Sequence, residues 1–445
     1  ALMNYIKSFY LTNRFFAVAG ALVFLFMVGF AVPAVAAIAE TLFYLALVLL
    51  VLDTLLLYKQ KRPLVAERIM TEKFSNGDEN SIQIILEHRF QQQVFIQVFD
   101  ELPVQFQIRN QQFNLTLKPG EVKNINYSLR PVKRGEYEFG IINAFVFTKL
   151  GIVKRRFQLG QPKAVSVYPS FIQMRKYELL AISNQLQQSG IKKIRRIGSN
   201  MEFEQIKNYV AGDDYRKINW KASARRSELM INQFQDERSQ QVYSVIDKGR
   251  MMQMPFEGMS LLDYAINASL VISNIALKKG DKAGLVTFQH KVNSVLPASS
   301  RNMQLNLILE HLYKQKTAYK ESDFSQLYIS LKRKVTQRSL ILLYTNFVSV
   351  SSLQRQLLYL RKINQQHLLV CIFFENTEVK ELIETKADSL EGVYTKGIAE
   401  QLAYEKKLIM KELQAHGIHT ILTPPKELSV NTINKYLELK SRGLI

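Results

Sequence analysis

From Phe15 to Tyr58 the chain is almost unbroken apolar, with Glu40 and Asp53 as its only charged residues. A helix needs about 20 apolar residues to cross a bilayer, so this run is long enough for two crossings. Pro33 and Glu40 bracket a turn, which predicts helices near residues 15–32 and 41–58 in a membrane hairpin over residues 1–62. Beyond Pro63 the pattern changes to short alternating runs at residues 81–86, 94–99, 122–127 and 137–140. Asn76-Gly77-Asp78, Pro119-Gly120 and Arg134-Gly135 separate them as turns. Period two between turn signals predicts an all-β, Ig-like sandwich over residues 63–170. From Val242 the pattern changes again. Apolar runs at 242–246, 283–288, 340–344, 368–374 and 418–422 predict strands, with 292–296 as a short hairpin partner. Leu261, Ala265, Ala268, Ile272 and Ile275 share one helical face, and further helices are expected around 302–314 and 324–335. This alternation predicts an α/β domain over residues 241–445, its mainly parallel sheet covered on both faces. Residues 171–240 read as a linker that carries a charge-dense segment.

Charge orients these parts. Lys7 and Arg14 precede the first apolar run, and Lys59, Lys61, Arg62 and Arg68 follow the second. Positive outer flanks predict a two-pass hairpin with both ends, and hence the soluble domains, in the cytoplasm. A cleaved signal peptide ending near Ala34-Val35-Ala36 fits less well, because a second span follows at once. Lys59, Lys61 and Arg62 suit anionic headgroups, which makes the lipid bilayer the first expected partner. Asp53 inside the second span is costly unless paired. Two readings stand for it: contact with a partner helix, or a position shallow enough to reach the interface. The whole chain has 59 Lys and Arg against 38 Asp and Glu, a net charge of +21, which suits an anionic partner. The run Lys192-Lys193-Ile194-Arg195-Arg196 has no interleaved aromatic residues on which bases could stack, so nucleic acid is disfavoured. Cys371 is the only cysteine, which excludes an internal disulfide; its apolar setting reads as a buried hydrophobe.

Residues 199–247 concentrate charge and aromatic side chains, including Trp220, the only tryptophan. Gly212-Asp213-Asp214 is turn chemistry, and Asp213 and Arg216 stand at a helical spacing of three. Composition alone describes a solvated loop with a buried Trp anchor. The order Glu202-Phe203, Tyr209, Gly212-Asp213-Asp214, Arg216, Ile218, then Trp220-Lys221-Ala222-Ser223-Ala224-Arg225, before a strand ending at Asp247, resembles a bacterial signature. It is that of the family called domain of unknown function fifty-eight. The chain departs from the family at Lys207, where arginine is commoner and a bidentate fork is lost. It departs again at residues 148–152, where an Asp-Pro-x-Gly-Leu segment is usual. Members of the family are often encoded beside MoxR-type AAA+ ATPases. The resemblance therefore implies an adaptor at the bacterial cytoplasmic membrane that partners such an ATPase in chaperone-like assembly, with other membrane or cell-envelope proteins as further partners. Two roles stand open for Gly212, Asp213, Asp214, Arg216, Asn219, Trp220, Lys221 and Arg225: contact with a partner, or a clasp between the two soluble domains.

The element order after Val242 also resembles a von Willebrand factor A-like domain. Such domains hold a divalent metal through Asp-x-Ser-x-Ser after the first strand, a Thr in a later loop and an Asp after the fourth strand. Here the first loop reads Asp247-Lys248-Gly249-Arg250-Met251, Ser322 stands for the threonine and Asn346 for the second aspartate. A hard cation needs a full set of oxygen ligands. With Asp247 the one carboxylate, the site at Asp247, Gly249, Met251, Ser322 and Asn346 is expected to be degenerate, and no metal or other cofactor is expected. Lys248 and Arg250 are either an anion contact or two solvated side chains. Two alternative functions remain: metal-dependent, adhesion-type protein binding through Asp247, and binding of nucleic acid or another anionic surface. No phosphate loop, His-Glu-x-x-His or Gly-x-Ser-x-Gly motif occurs, and Gly417 breaks the His416/His419 pair. An enzyme is not expected.

Overall fold

Two apolar helices lie in the N-terminal part of the chain, α1 (Asn13–Ala31) and α2 (Pro33–Tyr58). The computed structural model in which they are seen describes residues 7–60, 63–109, 111–182, 201–210, 215, 218–236, 239–317, 319–386 and 389–444. It divides into two units, Ala1–Tyr168 and Pro169–Ile445. Both helices are long and apolar enough to cross a membrane. The turn between them is at Val32, not across residues 33–40. Pro33 takes the first-turn position of α2, where its missing N–H is no loss and its fixed φ suits the helix. Glu40 therefore lies within α2. At Gly29 an added Cβ would come within 2.8 Å of the Ala36 backbone, so the two helices pack closely there.

The rest of the first unit is β-sandwich-like. A strand not foreseen in the sequence, β1 (Phe9–Leu11), precedes α1. After α2 come β2 (Leu64–Met70), β3 (Lys73–Ser75), β4 (Asn80–His88), β5 (Val94–Asp100), β6 (Gln112–Leu117) and β7 (Val122–Leu129). They are followed by β8 (Gly135–Phe139), β9 (Ile142–Phe147), β10 (Val153–Leu159) and β11 (Lys163–Tyr168). The sheets run β1-β10-β9-β5-β6, β2-β4-β7 and β3-β11-β8. Every pairing is antiparallel except β3 with β11. Alternate residues of β4 and β5 turn inward, so Ile84, Leu86, Val94, Ile96 and Val98 share one core. Phe74, Tyr137 and Phe139 fill a second, smaller one.

Asp53 finds its partners within its own unit. It is fully buried near the end of α2, against the β9–β10 turn of the same unit. Its carboxylate accepts hydrogen bonds from the Thr148 hydroxyl, from Ile152 N at 3.0 Å and from Val153 N at 2.9 Å. From the α1 side, Thr12 Oγ1 donates to Gly151 O at 2.6 Å. The bases of both helices are thus tied to one turn.

In the second unit, residues 171–240 are more than a linker. They form α3 (Phe171–Ile182), β12 (Met201–Asn208), α4 (Trp220–Arg226) and β13 (Met230–Asp236), with β12 and β13 paired antiparallel. The elements that follow are β14 (Gln241–Asp247), β15 (Pro255–Phe256), β16 (Met259–Ser260), α5 (Leu261–Lys278), β17 (Lys282–Phe288) and β18 (Val292–Ser299). Then come α6 (Gln304–Tyr313), α7 (Phe324–Lys334), β19 (Leu340–Tyr344), α8 (Val350–Gln366) and β20 (Leu368–Phe374). The chain closes with α9 (Thr377–Glu384), α10 (Leu390–Ala415), β21 (His419–Thr423) and α11 (Leu428–Ser441). The six-stranded sheet runs β18-β17-β14-β19-β20-β21 and is parallel apart from β18. Continuous apolar runs make its central strands because both faces are covered. Leu340, Leu342 and Tyr344 pack toward α5 and α11, whereas Ile341 and Leu343 pack toward α7, α8 and α10. Cys371 is buried in this layer, and burial pushes its thiol up, away from the reactive thiolate.

Candidate functional site

β14 comes first in sequence among the strands of its sheet, with β17 on one side and β19 on the other. In open α/β sheets, ligands gather outside the carboxyl ends of the strands at such a reversal. Asp247 ends β14 there and is buried. Its Oδ1 accepts from Gly249 N at 2.8 Å and from the Ser322 hydroxyl, and its Oδ2 accepts from Thr345 Oγ1 at 2.8 Å. Burial pushes this carboxyl above the usual carboxylate range, against the opposing pull of Ser322, Gly249 and Thr345. The Ser322 hydroxyl fills the space that a side chain at position 249 would need. A Cβ added at Gly249 would collide with it, at 3.1 Å from Asp247 Oδ1 and 3.3 Å from Lys320 O. Glycine here is therefore a condition of the Ser322–Asp247 contact.

The other residues singled out around Asp247 have separate fates. Met251 is half-buried in the single turn Arg250–Gln253. Thr345, which contacts Asp247, carries no signal in the sequence, whose pattern points to its neighbour Asn346. The β14–β19 register, in which Ile246 faces Tyr344, is what would have pointed to it. Asn346 instead accepts a hydrogen bond from Lys406 Nζ of α10, which also donates to Phe347 O at 2.6 Å. Lys406 is a further addition, and burial pulls its ammonium down to about 8. Lys248 is not a solvated cation. It is only 6% exposed, burial lowers its pKa, and its backbone N–H donates to Phe288 O at 2.8 Å. Arg250 is exposed, so the two basic residues do not form one solvated pair. Among the described residues, no three His, Cys, Asp or Glu side chains converge as a metal-binding group.

The charge-dense segment builds a hairpin with a helical insert. Asn219 caps α4 by accepting from Ala222 N at 3.0 Å, and its amide donates to Asn232 Oδ1 at 2.8 Å. Ser223 donates to Asn219 O at 2.9 Å and accepts from Met230 N at 2.8 Å, tying α4 to β13. These polar bonds, not a buried indole, position the helix. Trp220 is 70% exposed, which corrects the expected Trp anchor, and Val210, Tyr215 and Leu229 are exposed as well. Lys221 and Arg225 are exposed, and Arg225 with Arg226 lies in the last turn of α4, where the helix dipole favours positive charge. Gly212, Asp213, Asp214 and Arg216, like the Lys192–Arg196 run, lie outside the described residues.

Comparison with known proteins joins these two features. Residues 205–393 match DUF58, described as a protein of unknown function. The DUF58 stretch takes in most of the β12–β13 hairpin, the Asp247 node and the sheet as far as β20. The uncharacterized protein YeaD of Bacillus subtilis (strain 168) is 28% identical over 188 residues, 42% of this chain and 44% of the relative. The match thus spans less than half of that relative. Among solved structures, the conserved hypothetical protein BatB from Bacteroides thetaiotaomicron is 13% identical, covering 46% of this chain and 100% of that one at a TM-score of 0.28. The CARDB domain of PF1109 from Pyrococcus furiosus is 16% identical, with 24% and 94% covered at a TM-score of 0.17.

Proposed function

We propose that the chain is a non-enzymatic adaptor, anchored by α1 and α2 at the cytoplasmic face of a bacterial inner membrane, whose DUF58 hairpin receives a partner protein. The observation that carries this reading is the exposed Trp220, in one short segment with exposed Val210, Tyr215 and Leu229 and with Lys221 and Arg225. An aromatic side chain left in water beside cations matches the composition of interface hot spots. The alternative role, a clasp between domains, draws on a covered indole. The partner class proposed is a MoxR-type AAA+ ATPase, on the strength of the sequence resemblance. The positive residues flanking the helices support the cytoplasmic orientation. The strand order, with β18 alone antiparallel, supports a von Willebrand A-like reading of the α/β sheet. Metal-dependent binding ranks lower. Asp247 supplies one carboxylate, its oxygens already accept from three internal donors, and position 249 has no room for a side-chain ligand.

The test is a crosslinking pull-down from native membranes, comparing the intact chain with a Tyr215→Ala/Trp220→Ala variant of unchanged melting temperature. Recovery of an AAA+ ATPase with the intact chain and its loss with the variant is the expected result. Equal recovery with both moves the contact away from the hairpin. No ATPase with the intact chain, under several crosslinkers, overturns the partnership.

A further inference from the structure

At the carboxyl ends of β19 and β20 the α/β unit holds a partly open cavity of about 350 Å³. Phe256, Leu261, Phe374, Val379, Ile383 and Leu402 give it an apolar wall, and Asn346 and Lys406 line it as well. Four further charged residues, Glu375, Lys380, Glu384 and Lys407, line it and offset one another two against two. Lys406 is the charge left over. An ammonium has three protons to donate. Here one goes to Asn346 Oδ1 and another to Phe347 O at 2.6 Å, both neutral acceptors. Burial accounts for the lowered pKa of this lysine, and among the described residues no carboxylate pairs with it. A partly desolvated cation without a counter-ion, beside an apolar space, is completed by an anion that brings its own apolar group.

We propose that this cavity binds a small carboxylate with an apolar tail, its carboxylate on Lys406 Nζ and its tail among Phe374, Val379, Ile383 and Leu402. Nothing given by the relatives or by the adaptor reading assigns such a site. A single ammonium, with neither an arginine fork nor a second unbalanced cation, suits a monoanion better than a phosphate dianion. At about 30 Å³ for each small group, the volume admits a tail of roughly six to ten carbons.

Equilibrium dialysis of the full chain in phosphatidylcholine nanodiscs tests this, with radiolabelled hexanoate as probe, hexanamide as its neutral counterpart and empty nanodiscs as the blank. The expected result is saturable hexanoate binding, at least about tenfold weaker for hexanamide and in Lys406→Met, as loss of a charge-assisted hydrogen bond requires. Ile383→Trp, which fills the cavity and leaves the lysine in place, abolishes binding. Absence of saturable hexanoate binding overturns the proposal, as does equal binding by both variants or by hexanamide. Saturable binding of N-acetyl-leucine without hexanoate overturns the acyl-chain assignment and gives the cavity to peptide carboxyl ends.

Discussion

Replacing Asp53 with leucine tests how the apolar helices are joined to the β-rich body. The Asp53 carboxylate is the acceptor for two backbone amides, Ile152 N and Val153 N, and for the Thr148 hydroxyl. Leucine has the same branched shape, somewhat greater bulk and no acceptor. Thr148 Oγ1 can still accept from Leu150 N, as it does at 3.2 Å, so the cost falls on the two amides. Each buried donor left unsatisfied costs about 1–3 kcal/mol, which gives ~2–6 kcal/mol for the pair before relaxation. Part of this returns if water enters the turn, so about 3 kcal/mol is a working figure. Hydrogen exchange followed by mass spectrometry, on a peptide covering residues 148–155 in nanodiscs, reads the change directly. A loss of ~3 kcal/mol speeds exchange about 100-fold where local opening governs it. Asp53→Asn, which keeps one carbonyl acceptor, falls between the two. Leucine favours a membrane helix more than aspartate does, so failed insertion cannot mimic the result. Exchange within about threefold of the wild type, under ~0.7 kcal/mol, refutes the claim that this carboxylate holds the turn.

Other expectations follow from the same kind of reasoning. Gly249→Ala forces its methyl group onto the Ser322 hydroxyl and costs about 1–3 kcal/mol, read as a lower melting temperature. Adding Ser322→Ala recovers part of that loss by removing the obstacle, and an unchanged melting point for Gly249→Ala disproves the close approach. Lys406 titrates near 8 when folded and near ~10.4 when unfolded, so the unfolded chain binds more protons between those values. Stability of the wild type relative to Lys406→Met therefore rises with pH across that window and is flat below it; parallel curves would falsify the burial argument. Trp220→Ala, at an exposed position, leaves stability within about 0.5 kcal/mol of the wild type.

Where burial is complete, the sequence was readable. Leu340–Tyr344 and Leu368–Phe374 are apolar throughout because helices cover both faces of the sheet, so the pattern names them directly. Asp247 stood out as the polar end of such a run. The strands β10 and β12 did not, because Lys154, Arg155 and Arg156 interrupt the alternation of the first and a register shift between Phe203 and Gln205 breaks that of the second. The fold supplies a distant partner for Arg155, which donates to Leu57 O at 2.7 Å, a contact 98 residues away in sequence. Thr345 and Lys406 were missed for a related reason. A hydroxyl or an ammonium becomes part of a site only through the register of distant elements, and neither carries a local signature. The helix turn lies at Val32 because Pro33 serves as a helix start and not as a breaker.

The pairing of β1 with β10 constrains how the chain is made. Phe9–Leu11 leaves the ribosome before either apolar helix, whereas its partners Val153, Lys154 and Arg155 emerge long after both. If α1 and α2 are the membrane anchor proposed above, the two strands can meet only on one side of the bilayer, so the sheet closes only when the intervening helices make an even number of crossings. A chain that inserts a single helix strands β1 on the far side and leaves β10 as a bare edge, open to wrong pairing. Completion of this sheet thus acts as a parity check on insertion.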